Sequence, residues 1–261
     1  MEFQDKVVIV TGAATGMGRD AAIAFGAQGA KVVCVTGHNI AGAEDTVRII
    51  REAGGEAVAV PCDVSDEAQV KAMVEKTVEL YGRIDCAFNN AGVGPDGVRI
   101  GFYPLTELPV EIWDKTMAVN ARGCFLCMKY EIPEMLKTGG GAIVNTASVG
   151  GMRMAPGFGA YGPSKAAIIA VTRTAALEHA RDGIRVNAVC PGPTLGTELM
   201  KNSMSTGTGA AGGPDGELPI PMGKLGDVSD ITEAVLWLMS EKSGHITGHA
   251  LSVDGGMADI G

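Results

Sequence analysis

The stretch KVVIVTGAATGMGRDAAIAFG, residues 6–26, decides how the rest of the chain is read. Its first part is a short apolar, β-branched run with no alternation, as expected of a strand covered on both faces. The turn Thr11-Gly12-Ala13-Ala14-Thr15-Gly16-Met17-Gly18 follows at once, and an alanine-rich helical pattern begins near Gly16. Glycines between a strand and a helix let the backbone turn tightly and approach an anion lying on the helix's positive end. A glycine-rich turn alone is common. Placed between a first strand and a first helix, it points to a bound pyrophosphate.

Working outward, the same alternation repeats along the chain. Strand-like runs are predicted at 6–10, 31–35, 57–61, 85–89, 142–146, 185–189 and 250–253, with helical patterns starting near Gly16, Ala41, Asp66, Val110, Gly159 and Ser229. Parallel strands joined by right-handed helical crossovers give an α/β doubly wound sheet of seven strands with helices on both faces. At 261 residues the chain fits one large α/β domain, or at most two small ones, and it is read as one dinucleotide-binding domain, 1–261. Residues 194–222 break the rhythm with glycine-rich sequence, unsuited to a stable helix and too long for an ordinary connection. Following strand six, they are read as a mobile lid on the ligand-binding edge of the sheet.

Composition narrows the function classes. Apolar residues make up 46% and charged residues 20%, with a net charge of −9 and no basic run, which argues against nucleic acid and anionic membranes as partners. No long apolar stretch predicts a membrane span. The opening residues run straight into a strand, so no signal peptide is expected and a cytoplasmic location follows. The six cysteines sit mostly in apolar runs and read as small core residues. Cys124 and Cys127 form a single CxxC inside a helical pattern with no second pair, so no metal site is expected.

A second constellation is Tyr161-Gly162-Pro163-Ser164-Lys165. Positions i and i+4 of a helix share a face, so the phenol and the ammonium can approach each other. A positive charge about 4 Å away, at an effective dielectric near 20, favours phenolate by on the order of 4 kcal/mol. That is roughly three pKa units and predicts a Tyr161 pKa near 7.

Taken together, the chain resembles the short-chain dehydrogenase/reductase family across essentially its whole length. The resemblance rests on TGAATGMG at 11–18, Asn89-Asn90-Ala91-Gly92, Asn120 in MAVNARG, and Ser148 thirteen residues before Tyr161. It rests further on Tyr161 with Lys165, Pro191-Gly192 after strand six, and Asp254-Gly255-Gly256 after the last strand. It implies a Rossmann-type fold and hydride transfer between a nicotinamide cofactor and a ketone or secondary alcohol. Tyr161 would be general acid in reduction and base in oxidation, with Lys165 lowering its pKa and binding the nicotinamide ribose. Ser148 would hold the substrate oxygen, and Asn120 would anchor a water joining Lys165 to solvent. Gly12, Thr15, Gly16, Met17 and Gly18 would cradle the pyrophosphate. Asp63 and Val64 would meet the adenine, Asn90, Ala91 and Gly92 the adenosine ribose side. Thr194, after Pro191 and Gly192, would reach the carboxamide; the gap before Thr197 is wider than the family pattern.

The end of strand two sets the cofactor expectation. The family places an Asp at position 36 when it uses NAD(H); here Thr36, Gly37 and His38 carry neither that acid nor the usual Arg or Lys. Without a carboxylate to repel a 2′-phosphate, NADP(H) is expected over NAD(H). Expected pocket walls are Val93, Gly151, Met152, Met154 and Phe158 with the lid, mainly apolar, and Arg153 and Arg99 are the nearby cations. An apolar ketone or alcohol is the expected substrate. A 3-oxoacyl-carrier-protein reductase is the alternative, with Lys129 and Arg173 to receive an acidic carrier. A regulator that senses dinucleotide without turnover would lack part of Asn120, Ser148, Tyr161 and Lys165, all of which are present. The helix after Gly159 is apolar nearly all round, which predicts a homo-oligomer, and the resemblance implies a homotetramer.

Overall fold

In the computed structural model, which describes residues 1–98, 100–206 and 220–258, the predicted alternation becomes one sheet. Its strands are β1 (Val7–Thr11), β2 (Lys31–Thr36), β3 (Glu56–Pro61), β4 (Cys86–Asn89), β5 (Gly141–Thr146), β6 (Ile184–Pro191) and β7 (Ala250–Val253). They lie in the order β3-β2-β1-β4-β5-β6-β7, every pair parallel. The order reverses beside β1, and the crevice this opens between the carboxyl ends of β1 and β4 is where doubly wound sheets bind ligands.

The non-alternating strands are explained by burial on both faces. Ile9, Val33, Val35 and Ile143 point into one core with residues of α3 (Glu67–Tyr81), α5 (Gly123–Lys137) and α6 (Tyr161–His179). Val8, Val10, Val32, Cys34 and Val144 point into the other with α1 (Gly16–Ala27), α2 (Ile40–Glu52) and α8 (Val228–Met239). All six cysteines are buried in these cores, and burial pushes Cys34, Cys62, Cys86 and Cys124 up to about 12. Cys127 is also raised, so the CxxC thiols are held protonated by their packing. No described helix is long and apolar enough to cross a membrane.

Two departures concern the elements that flank the crevice. The pattern beginning at Val110 is not one helix: α4 (Val110–Met117) passes through a π-helical turn, Ala118–Arg122, into α5. The turn reads AVNAR, with no glycine or proline to mark a break, so the sequence does not reveal it. The segment after β6 also contains a helix, α7 (Glu198–Thr206), where glycine content predicts none. The glycines cluster from 207 onward, and ELMKNSMST before them is free of helix breakers. Thr197 starts α7, its hydroxyl accepting from Met200 N at 3.2 Å and donating to Thr194 O at 3.0 Å. Of the expected lid, 207–219 lie outside the described residues, as does Arg99.

Candidate active site

A cleft of about 330 Å³ runs from the β1–α1 turn to the first turn of α6. At one end lie Gly12, Thr15, Gly16 and Met17. Thr15 occupies the N-cap of α1, yet its side chain caps nothing, so the first N–H groups of the helix remain open toward the cleft. Gly12 has φ +70°, and a Cβ on Gly18 would stand 2.3 Å from Gly12 O and 2.7 Å from Asn90 Nδ2. Gly18 therefore does not line the cleft. It lets α1 close on the turn and brings those N–H groups forward. An uncapped helix terminus behind a glycine-rich turn fits a pyrophosphate.

The middle of the cleft is held by the sheet. Thr11, buried at the end of β1, accepts at Oγ1 from Asn90 N (2.9 Å) and Ala91 N (3.0 Å). Asn90 Nδ2 donates to Thr11 O at 3.1 Å, and Thr146 Oγ1 donates to Asn90 Oδ1 at 3.2 Å. Asn90, Ala91 and Gly92 line the cleft, as do Pro191, Gly192 and Thr194 opposite them. Thr146 carries no motif signature, and Thr11 opens the glycine-rich motif at 11–18 but shows its bracing role only through these hydrogen bonds.

At the far end Ser148, Tyr161 and Lys165 converge. A Cβ on Gly150 would lie 3.5 Å from both Ser148 Oγ and Tyr161 Cε1, and Ser148 Oγ accepts from Gly150 N at 3.1 Å. Lys165, 4% exposed, donates from Nζ to Thr146 O at 2.8 Å and lies 5.6 Å from the Tyr161 ring centroid. Asn120 stands behind the cleft. The π-helical turn aims its carboxamide at Val93, accepting from Val93 N and donating to Val93 O (2.8 Å each), and Nδ2 also donates to Ser164 Oγ at 2.9 Å. Ser164 in turn donates to Tyr161 O at 2.7 Å. Asn120 thus ties the segment after β4 to the first turn of α6.

The electrostatics correct one expectation. Tyr161 lies above its ordinary pKa, not near 7: burial penalises the phenolate and Cys190 adds to this, while the hydrogen bond with Ser148 opposes both. Burial also lowers Lys165 to about 8. Desolvation outweighs the attraction foreseen between the two, because the ammonium is itself buried and turned toward Thr146 O. The ligand-free site therefore holds Tyr161 as a neutral phenol.

Several predicted contacts stand apart from this cleft. Thr36 is buried at the end of β2, while Gly37 and His38 are exposed beyond it. Asp63 and Val64, after β3, sit beside them: a Cβ on Gly37 would lie 3.4 Å from Asp63 Cα. Asp63 Oδ1 is engaged by Ser65, accepting from its N (2.9 Å) and Oγ (2.7 Å). On the substrate side Val93 and Phe158 line the cleft, but Gly151, Met152 and Met154 do not. The short 3₁₀ turn Val149–Gly151 points Gly150 inward, leaves Met152 and Met154 exposed, and packs Gly151 against the Lys165 backbone. Gly150, Arg153 and Ala155 take their places. Glu198, Leu199 and Met200 line the cleft from within the expected lid segment, whereas Phe102 and Met257 are lining residues that sequence reasoning does not find. Those two come from the 93–109 segment and the turn after β7, whose approach no local pattern encodes.

Comparison with known proteins agrees with this architecture. A family model described as Enoyl-(Acyl carrier protein) reductase matches residues 12–258. An uncharacterized oxidoreductase of Thermotoga maritima is 40% identical, with 100% of each chain covered. A 2,5-dichloro-2,5-cyclohexadiene-1,4-diol dehydrogenase of Sphingobium indicum is 35% identical, with 99% of each chain covered. The crystal structure of a levodione reductase superimposes with a TM-score of 0.86 at 32% identity, covering 98% of each chain. Identity of this extent, on a sheet with the same winding and over the whole length, makes the chain an oxidoreductase that belongs to the short-chain dehydrogenase/reductase family.

Proposed function

We propose that this oxidoreductase interconverts an apolar, ring-shaped ketone and its secondary alcohol, using NADP(H) in preference to NAD(H). The convergence of Tyr161 and Ser148 at the end of one cleft carries the reading. Gly12, Thr15, Gly16 and Met17 at the open α1 terminus would hold the pyrophosphate of a nicotinamide dinucleotide, which would supply the hydride in reduction and receive it in oxidation. Tyr161, held neutral by burial, gives its proton to the carbonyl oxygen as charge develops there. The Ser148 hydroxyl is a second donor aimed at the same oxygen. Lys165 faces the phenolate left behind, and Asn120 keeps the first turn of α6 in register.

The walls support the substrate class. Phe102 and Phe158 meet edge to face with centroids 5.8 Å apart, and Phe158 lies 6.1 Å from the Tyr161 ring. With Leu199 and Met200 opposite, they favour a flat apolar body over a flexible chain. The similarity to a cyclohexadiene-diol dehydrogenase points the same way. A carrier-protein substrate draws less support, because Lys129, one of the two cations meant to receive it, is paired with Glu67. With NADPH, cyclohexanone-type substrates are expected to exceed straight-chain ketones in kcat/KM by about tenfold or more. Preferred turnover of 3-oxoacyl thioesters would overturn this reading.

For the cofactor, the turn after β2 offers Gly37 N–H and an exposed His38 with no acid among residues 36–39. Fluorescence titration is expected to give NADPH at least tenfold tighter binding than NADH, about 1.4 kcal/mol. His38→Ala should remove most of that margin, and equal or tighter NADH binding would overturn the preference. For the assembly, Val110, Phe125 and Leu177 on α4, α5 and α6 are 70%, 47% and 85% exposed. We place a second copy of the chain on this face, within a homotetramer. Light scattering should report four chains, and a mass near the 26.8 kDa of one chain would refute it.

A further inference from the structure

The mouth of the cleft lies between two segments that approach from opposite sides. One is the stretch after β4, which contributes Val93, Gly94, Pro95 and Phe102; the other is α7. They touch at Gly94, where a Cβ would stand 2.8 Å from both Leu199 Cδ1 and Tyr161 Cε2. A side chain at this position would press on the Tyr161 ring and on the tip of Leu199, and glycine leaves room for both.

Beside this contact lies Asp96, fully buried although it belongs to a surface loop. Its Oδ1 accepts from Val98 N (3.0 Å) and Ile100 N (3.1 Å), and its backbone N donates to Ile100 O at 3.0 Å. One carboxylate oxygen thus folds its own loop. The other reaches across: Asn202 Nδ2, in the second turn of α7, donates to Asp96 Oδ2 at 3.0 Å. The N-terminal end of α7 is fastened separately, through Thr197 Oγ1 donating to Thr194 O at 3.0 Å and Leu195 N donating to Gly226 O at 2.8 Å, just ahead of α8. The middle of α7 therefore meets the opposite wall at Asp96, with Met200 and Ser203 turned toward the cleft.

We propose that Asp96 is a positioning residue that, through Asn202, latches α7 across the cleft and so fixes the volume in which substrate is held beside Tyr161. The substrate consequence rests on the function proposed above; the latch itself does not. A hydrogen bond to a carboxylate is roughly twice as strong as one between neutral groups, and stronger still out of water. Closure of this kind keeps solvent from the reacting carbonyl. The latch touches neither the reacting atoms nor the cofactor end of the cleft, so its loss should act on substrate binding.

The test exchanges donor and acceptor. Asn202→Asp sets one carboxylate against another in a buried place, where two acceptors cannot bond. It is expected to raise KM for the ketone about tenfold or more with kcat within about threefold. In the protein without ligands, hydrogen exchange of the α7 amides should become about tenfold faster or more. Adding Asp96→Asn restores a donor opposite the new carboxylate, while the carbonyl oxygen of the introduced amide still accepts from Val98 and Ile100. The double variant should therefore recover both KM and exchange to within about threefold. Asp96→Asn alone, with Asn202 able to turn its amide, should melt with the wild type and show that the loop folds. Unchanged exchange in Asn202→Asp, or a double variant that recovers neither readout, would overturn the latch. If no ketone is turned over by the wild type, the proposed substrate fails and the exchange measurement still decides the latch.

Discussion

Tyr161→Phe is expected to lower kcat/KM for ketone reduction by about three orders of magnitude or more while leaving nicotinamide nucleotide binding within about twofold of wild type. Removing one oxygen leaves the ring on Phe158 and beneath Lys165, so the fold of the first turn of α6 survives. What disappears is the proposed proton donor. General acid catalysis contributes roughly 10²–10⁴-fold, and loss of a donor to a developing oxyanion costs a comparable factor. Both roles reside in one hydroxyl, which sets the expected loss toward the upper end. Steady-state kinetics beside a fluorescence titration check it. A variant retaining a tenth of the activity would move the acid to another group, with Ser148 first in line.

The same dyad gives the pH profile a sign. Tyr161 sits above its ordinary value, so it keeps its proton through neutrality. Lys165, lowered to about 8 by burial, loses its charge as pH rises past that point. Reduction should therefore be level below about pH 8 and fall above it, because a neutral amine no longer stabilises the phenolate formed when the proton is delivered. A profile still level about two pH units higher would mean that the ammonium survives in the loaded enzyme.

How much of this is legible in the sequence depends on where the signal lies. The strands are readable because each is a run of residues buried on both faces, bounded by glycine or a polar turn. The β1–α1 turn and the order of Asn90, Asn120, Ser148, Tyr161 and Lys165 are readable because each is local. Asn120 stands out in its motif, but the π-helical turn that aims it does not, since AVNAR holds no glycine or proline to mark a break. α7 is hidden by the glycines that follow it, although Thr197 before Glu198 is an N-cap signal visible in a narrower window. The Tyr161 pKa departs from expectation for another reason: spacing gives the distance between charges but not their desolvation. Glu131 escapes notice entirely, because an acid in YEIPEML reads as a solvated helix position until β4 is seen lying against it.

That acid should make the protein less stable as pH rises toward neutrality, and Glu131→Gln should abolish the effect. Glu131 is 0% exposed in the core between α5 and the sheet. Asn89 Nδ2 donates to its Oε2 at 3.0 Å and to Asn145 Oδ1 at 3.1 Å, and Asn145 Nδ2 donates to Thr172 Oγ1 at 2.9 Å. Oε1 of Glu131 and Oδ1 of Asn89 have no hydrogen-bond partner among the described residues. Burial raises the carboxyl to about 7, against the opposing hydrogen bond from Asn89. An unfolded chain releases this proton near the ordinary value of about 4.3, so between there and about pH 7 folding takes up a proton and stability declines. The full cost stands above about pH 7 and amounts to roughly 3–4 kcal/mol. A glutamine in its place would carry no charge at any pH and would still accept from Asn89. Urea unfolding at a fixed protein concentration should thus show the variant about 3–4 kcal/mol more stable at about pH 8 and within about 1 kcal/mol of wild type at about pH 5. Glu131→Leu separates charge from hydrogen bonding: it strips the Asn89 amide of an acceptor at both pH values, at a cost of about 1–3 kcal/mol. A gain from glutamine that is the same at both pH values would mean the carboxyl never ionises in the fold, and the acid would then be a hydrogen-bonding element of the β4–β5–α6 network rather than a buried charge.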